Sequence, residues 1–164
     1  MVVFARGTYE IGNVGVLVGA PFLQVLRELS ISGLTIEMQG VEYAANMTGY
    51  QLGGDPEGSQ KMADTILEVQ NQCPRAKVVV SGYSQGAQLV HNALKELKGT
   101  NLEEIDAVVT FGDPLYPQIP EGVPGWKMLS VCNAGDGVCR PGRTISLSHI
   151  SYVERLYEAA TFVV

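Results

Sequence analysis

Short runs of β-branched and other apolar residues alternate along this chain with longer segments in which apolar positions recur at helical spacing. That is the pattern of βαβ units wound around a parallel sheet. The runs predict strands over 2–5, 35–41, 77–81, 107–111 and 127–131. The periodic segments predict helices over 16–30, 57–71, 85–98 and 150–163, with a short turn over 102–105. Turn residues stand at the C-terminal side of every predicted strand: Gly7, Gly40, Gly82, Gly112-Asp113-Pro114 and Cys132-Asn133. In an open parallel sheet that edge carries the ligand crevice. The long irregular segments 42–56 and 113–126 are expected on the same edge, and loops of such length in a compact domain are usually functional.

The chain has 164 residues, 46% of them hydrophobic, which is enough apolar material for one core, and a single domain spanning 1–164 is expected. A net charge of −6 repels a phosphate backbone and no Lys/Arg cluster offsets it, so nucleic-acid binding is disfavoured. Neither G-x-G-x-x-G nor G-x-x-x-x-G-K-S/T follows a predicted strand, which removes the common phosphate-binding modules. The apolar runs are strand-sized, far short of the roughly 20 residues that span a bilayer. No basic-then-apolar leader precedes Met1-Val2-Val3-Phe4, and the chain reads as soluble and unaddressed. Three cysteines are an odd count, so at least one lacks an intramolecular partner. Cys132 and Cys139 bracket a Gly-rich loop short enough to be closed by a disulfide, while Cys73 stands alone ahead of Pro74. The spacing of the pair is not that of a zinc site. A disulfide there implies an oxidising compartment.

The candidate chemistry centres on Val78-Val-Val-Ser-Gly-Tyr-Ser-Gln-Gly86. A β-branched run enters G-x-S-x-G and an apolar-periodic segment follows at once, the strand-turn-helix context of a nucleophile elbow. The glycines two before and two after Ser84 are needed because the turn is so sharp that side chains there would collide. A serine needs a base, and histidine is the side chain poised for it. His91 lies about two turns along the following helix, so its side chain is carried away from Ser84. His149 precedes the last predicted helix on a loop able to reach the same sheet edge, and it is the preferred base. A third residue must fix the imidazole tautomer, and the order Ser, acid, His of α/β hydrolases restricts it to carboxylates between 84 and 149. Asp106 stands at the wrong end of its strand. Asp113 and Asp136 remain, with Asp136 favoured because its cysteine-bracketed loop is nearer His149 and Asp113 before Pro114 reads as a turn residue. For an oxyanion, the backbone N–H of Gln85 is one donor, and Thr8, on the loop after the first strand, offers an N–H and a hydroxyl as the second. Arg6 reads as a surface or ion-pairing residue.

Taken together, Phe4-Ala-Arg-Gly-Thr-Tyr-Glu10 with Gly12-Asn-Val-Gly15, Cys73-Pro74, Gly82-Tyr-Ser-Gln-Gly-Ala87, Phe111-Gly112, Cys132-Asn-x-Gly-Asp-x-x-Cys139 and His149 resemble, in order and spacing, the cutinase family of serine esterases, which includes cutinase-like and acetylxylan esterases. The resemblance covers most of the chain. It implies a three-layer α/β hydrolase-like fold with a central five-stranded parallel sheet and little lid. It implies Ser84, Asp136 and His149 as triad, Thr8 and Gln85 as oxyanion hole, no cofactor or metal, and secretion. In the family the cysteine matching Cys73 pairs with one ahead of the first strand; here no third partner exists, so Cys73 is expected to be a free thiol. The implied activity is hydrolysis of short- to medium-chain acyl esters or cutin-type polyesters through an acyl-serine, by a monomer whose partner is its ester substrate. Two alternatives are deacetylation of xylan, with Tyr43, Tyr50, Tyr116 and Trp126 as candidate sugar-binding rim, and a catalytically silent binding module. The complete Ser, Asp, His set argues against the silent module.

Overall fold

The computed structural model describes residues 1–30, 34–140 and 144–164. In chain order it contains β1 (Val2–Ala5), a π-helical turn (Gly15–Gly19) running into α1 (Ala20–Leu29), β2 (Met38–Gly40), α2 (Met47–Gln51), α3 (Pro56–Gln72), β3 (Val78–Tyr83), α4 (Gln85–Glu96), α5 (Thr100–Glu103), β4 (Ile105–Phe111) and β5 (Met128–Val131). Single 3₁₀ turns at Leu147–Ile150 and Val153–Arg155 then lead into α6 (Leu156–Val163). The strands form one sheet in the order β2-β1-β3-β4-β5, and every pairing is parallel.

Side chains alternate across a strand, and here the alternation divides the core in two. Val3, Ala5, Val78, Val80 and Val108 face Met62 and Ile66 of α3 and Leu89, Val90 and Leu94 of α4. Val2, Phe4, Val79, Val109 and Phe111 face Phe22 and Leu26 of α1 and Leu156 and Ala160 of α6. Both faces of β1 and β3 are buried throughout, as expected of central strands in a parallel sheet. The result is helix, sheet, helix: the parallel sheet expected from the alternation of runs, in the three-layer α/β arrangement that the resemblance implies.

Several elements differ from the sequence pattern. β2 pairs over three residues, because it is an edge strand whose only neighbour, β1, is itself four residues long. The helix expected at 16 opens as a π-turn: the Glu10 carboxylate takes the N–H groups of Val16 and Leu17, and Pro21, which has no N–H to give, sits in the first turn of α1. The helix expected at 150 starts at Leu156. Asn133 Nδ2 donates to the carbonyls of both Ser148 and Ser151, and carbonyls held by a side chain are withdrawn from a regular helical ladder. α2, a five-residue helix capped by Asn46 accepting from Gly49 N–H, is too short to display a period. The turn expected over 102–105 is α5, and β4 starts two residues earlier than expected, at Ile105.

The elbow depends on close backbone approach. Ser84 has φ 56° and ψ −118°, a left-handed φ that costs a non-glycine residue of order 1–3 kcal/mol. The conformation is held by Ser84 N–H donating to Phe111 O at 2.9 Å and by Ala87 N–H donating to Ser84 O at 2.9 Å. A Cβ on Gly82 would lie 2.3 Å from Gly86 O, and one on Gly86 would lie 2.0 Å from Ala5 O. The Gly86→Ala variant is therefore expected to lose about 3 kcal/mol or more, the upper end of overpacking costs, as a lowered denaturant midpoint. An unchanged midpoint would show that α4 can withdraw from β1.

Candidate active site

Ser84 ends the elbow between β3 and α4, Asp136 lies in the loop after β5, and His149 lies in the first 3₁₀ turn before α6. The topology brings the three together at the C-terminal sheet edge. Ser84 Oγ is 3.0 Å from His149 Nε2, and His149 Nδ1 is 2.8 Å from Asp136 Oδ2. All three are buried, Asp136 completely and Ser84 to the extent of 7% exposure. The other Asp136 oxygen, Oδ1, accepts from Val138 N–H at 2.8 Å, so the carboxylate is fixed within its own loop. The imidazole is fixed as well. Tyr83 stacks against it with ring centroids 5.1 Å apart and donates its hydroxyl hydrogen to His149 O, while burial pushes the Tyr83 phenol well above its ordinary pKa. Gly112, with φ 55°, leaves room on the other side, where a Cβ would stand 2.7 Å from His149 Cε1.

The two residues weighed against these also pair, with each other. His91 Nε2 is 2.8 Å from Asp113 Oδ2, at 3% and 0% side-chain exposure. Asp113 Oδ1 accepts from Leu115 N–H, the Asp-Pro turn expected of it. This second pair ties α4 to the tip of β4, without a hydrogen bond to Ser84 among the described residues.

Thr8 and Gln85 also meet. Gln85 Nε2 donates to Thr8 Oγ1 and to Asn46 O, both at 2.8 Å. With its oxygen accepting, the Thr8 hydroxyl keeps its own hydrogen free to donate. Gln85 is the first residue of α4, where backbone N–H groups lack intrahelical partners and favour negative charge. The Thr8 loop is braced by hydrogen bonds on both sides. Glu10 accepts from Gly7, Val16 and Leu17 N–H, and Arg6 donates to Glu10 O, Val41 O and Tyr43 O. Arg6 makes no ion pair among the described residues. It is a part-buried brace between the exits of β1 and β2, with its guanidinium 5.0 Å over the Tyr43 ring.

Ser84 and His149 open into a cavity of about 220 Å³ lined by Thr8, Tyr9, Glu10, Tyr50 and Tyr83 and by the apolar side chains of Leu17, Met47, Val138, Ile145 and Ile150. Tyr50 and Met47 confirm the expectation that segment 42–56 reaches this edge. Segment 113–126 contributes no lining residue among those described. Of the candidate sugar rim, Tyr43 is buried with its hydroxyl on Arg6 O. Tyr116 and Trp126 lie off the cavity, with Lys127 Nζ 5.2 Å over the Trp126 ring.

Cys132 and Cys139 form a disulfide, and Cys73 is free and exposed. Asp136 lies beside the disulfide sulfurs, but sulfurs bonded to each other do not supply the thiolates a metal would need. The structure also shows polar residues that the sequence reading missed. Asn133 joins the loop of Asp136 to that of His149, and the Tyr152 hydroxyl donates to Asp136 Oδ2 at 2.5 Å. Neither carries a local signal beyond its place beside Cys132 or after His149.

The family model described as Cutinase matches residues 1–164. The chain belongs to the cutinase family. A curated cutinase of Monilinia fructicola is 44% identical over 162 residues, covering 99% of this chain and 80% of that protein. The solved structure of a Trichoderma reesei cutinase with a phosphonate inhibitor matches at TM-score 0.93 and 41% identity, over 99% of this chain and 73% of that one. An acetyl xylan esterase structure shares the fold, with TM-score 0.76 at 24% identity over 99% of this chain and 95% of that one. This cutinase-family chain is a serine carboxylic ester hydrolase of the α/β hydrolase fold.

The cutinase disulfide closes a loop with sequence separation 7, worth about 2.5 kcal/mol in the chain-entropy model. Thiol titration of the denatured, unreduced protein is expected to find one sulfhydryl, Cys73. Reduction is expected to lower activity before it unfolds the sheet, because the loop it loosens holds Asp136. Three thiols in fully active protein would contradict this.

Proposed function

We propose that Ser84 is the nucleophile, His149 the general base, Asp136 the residue that orients it, and Gln85 N–H with the Thr8 hydroxyl the oxyanion donors of this esterase. The observation that supports the reading best is the continuous hydrogen-bonded line from Ser84 Oγ through His149 to Asp136, set on a strained elbow at the wall of an apolar cavity. Ser84 Oγ attacks the ester carbonyl as His149 Nε2 takes its proton, and the imidazolium is stabilised by Asp136 across Nδ1. Charge building on the carbonyl oxygen meets donors already in place, which need no reorganisation at the moment of reaction. His149 then protonates the leaving alcohol, and water repeats the sequence on the acyl-serine to release the acid and restore Ser84.

The cavity suits the acyl or alkyl part of a short- to medium-chain ester, and similarity to cutinases of Monilinia and Trichoderma supports a cutin-type polyester as the natural class. Xylan deacetylation is not favoured: the acetyl xylan esterase likeness reaches the fold alone, and three of the four rim candidates lie away from the cavity. We infer one domain over 1–164, acting as a monomer outside the cytoplasm. A disulfide beside Asp136 fits an oxidising compartment, and no helix among the described residues is long and apolar enough to cross a membrane.

An organophosphate is expected to modify Ser84, mapped by mass spectrometry, and Ser84→Ala should lose on the order of 10⁴-fold or more in kcat on nitrophenyl esters from acetate to palmitate. Label on another residue overturns the assignment. The two aspartates should separate by kind of effect. Asp136→Asn is expected to cost on the order of 10⁴-fold in kcat, as the same change does in a trypsin-type triad, with the fold retained. Asp113→Asn is expected to cost about 1–3 kcal/mol of stability through its weakened buried bond to His91, with kcat within about tenfold of the parent at matched folding. A larger kcat loss for Asp113→Asn would reverse the roles.

A further inference from the structure

We propose that Tyr152 is a positioning residue of the catalytic centre, a fourth member of the hydrogen-bonded line that holds Asp136 in place and sets how much of its charge reaches His149. The proposal rests on the reading of Asp136 and His149 as triad residues. Asp136 Oδ2 accepts two hydrogen bonds at once, from His149 Nδ1 and from the Tyr152 hydroxyl, while Oδ1 is occupied by Val138 N–H. Packing of the Tyr152 ring does not itself call for a hydroxyl. It is the largest fully buried side chain of the molecule's described residues, and its ring is already seated edge-on against Tyr83 at 5.9 Å and Phe111 at 6.0 Å.

The direction of the phenol hydrogen follows from its surroundings. Asn133 N–H donates to the Tyr152 oxygen at 3.3 Å, and Cys139 Sγ lies at 3.9 Å, a disulfide sulfur with no hydrogen to offer. The Asp136 carboxylate is therefore the strong acceptor available to the phenol. Burial, with the bond to Asp136, keeps this phenol protonated far above the ordinary tyrosine range, so it remains a donor throughout the working pH.

A carboxylate oxygen shared between two donors gives less to each. Charge drawn toward Tyr152 is withheld from the imidazolium across Nδ1. Among the described residues, the titratable groups around His149 are Asp136 and Tyr152 from the two loops, Tyr83 and Ser84 from the β3 tip, and Tyr9, Glu10 and Tyr50 across the cavity; beyond Gly112 lies the mutually engaged Asp113–His91 pair. Of these, only Tyr152 donates to the oxygen that His149 uses.

Tyr152→Phe keeps the ring and removes the donor. It is expected to lower kcat about tenfold with KM changed less than about twofold, and to move the acidic limb of kcat/KM upward by about 0.5–1 pH unit. In the Asp136→Asn background the same change should have little further effect on kcat, since residues acting as a unit are not additive. If Tyr152→Phe folds poorly, 3-fluorotyrosine at 152, a stronger donor of nearly the same shape, should move the acidic limb downward. An unmoved limb in both variants, or full additivity with Asp136→Asn, overturns the proposal. If Asp136→Asn itself leaves kcat intact, it is the triad reading that fails.

Discussion

Backbone meets backbone where α4 leaves β3, and the site is arranged around that contact. Gly86 lies so near the Ala5 carbonyl that no side chain fits between them, which lets the first turn of α4 press down onto the end of β1. The same crowding forces Ser84 into its left-handed φ and delivers Gln85, at the start of α4, to the loop that carries Thr8. The proposed nucleophile and oxyanion donors thus share one steric cause. Strain at Ser84 is sustained because strands on either side are buried on both faces, and a core of that extent supplies burial energy of about 1.5–3 kcal/mol per large side chain against a local cost of similar size.

Burying an ionisable group costs least when it is paired, and the chain makes such a pair twice with the same chemistry. Two histidine–carboxylate pairs lie at the C-terminal edge, one on each side of Gly112. The first includes His149, whose other nitrogen reaches Ser84; the second, His91 with Asp113, closes on itself and joins α4 to the β4 tip. A buried carboxylate beside an imidazole is therefore not enough to mark an active centre in this fold. What separates the pairs is the serine on the second nitrogen of His149 and the cavity in front of it.

The parts legible in the sequence are those governed by near neighbours or by periodicity. β1, β3 and β4 were readable because burial on both faces leaves continuous apolar runs, and the elbow because its glycines and strand-helix setting lie within nine residues. Asp136 could be preferred over Asp113 because the cysteine pair singled out its loop. The start of α6 was not readable, since Asn133 holds the carbonyls of Ser148 and Ser151 from a distant loop. Arg6 misled for a related reason: its acceptors, Val41 and Tyr43 carbonyls, carry no side-chain signature. Tyr152 falls within the 150–163 segment whose period reads as helix, and only the fold reveals that its hydroxyl meets Asp136.

The Asn133 amide has one more effect, on motion. By holding Ser148 O and Ser151 O on either side of His149, within the loop that the disulfide closes around Asp136, it fastens the acid's loop to the base's loop. The two segments are then expected to open together. Any opening of the cavity mouth is expected to stretch the contact between His149 and Ser84 while His149 and Asp136 stay in register, parting the proposed nucleophile from an already oriented imidazole.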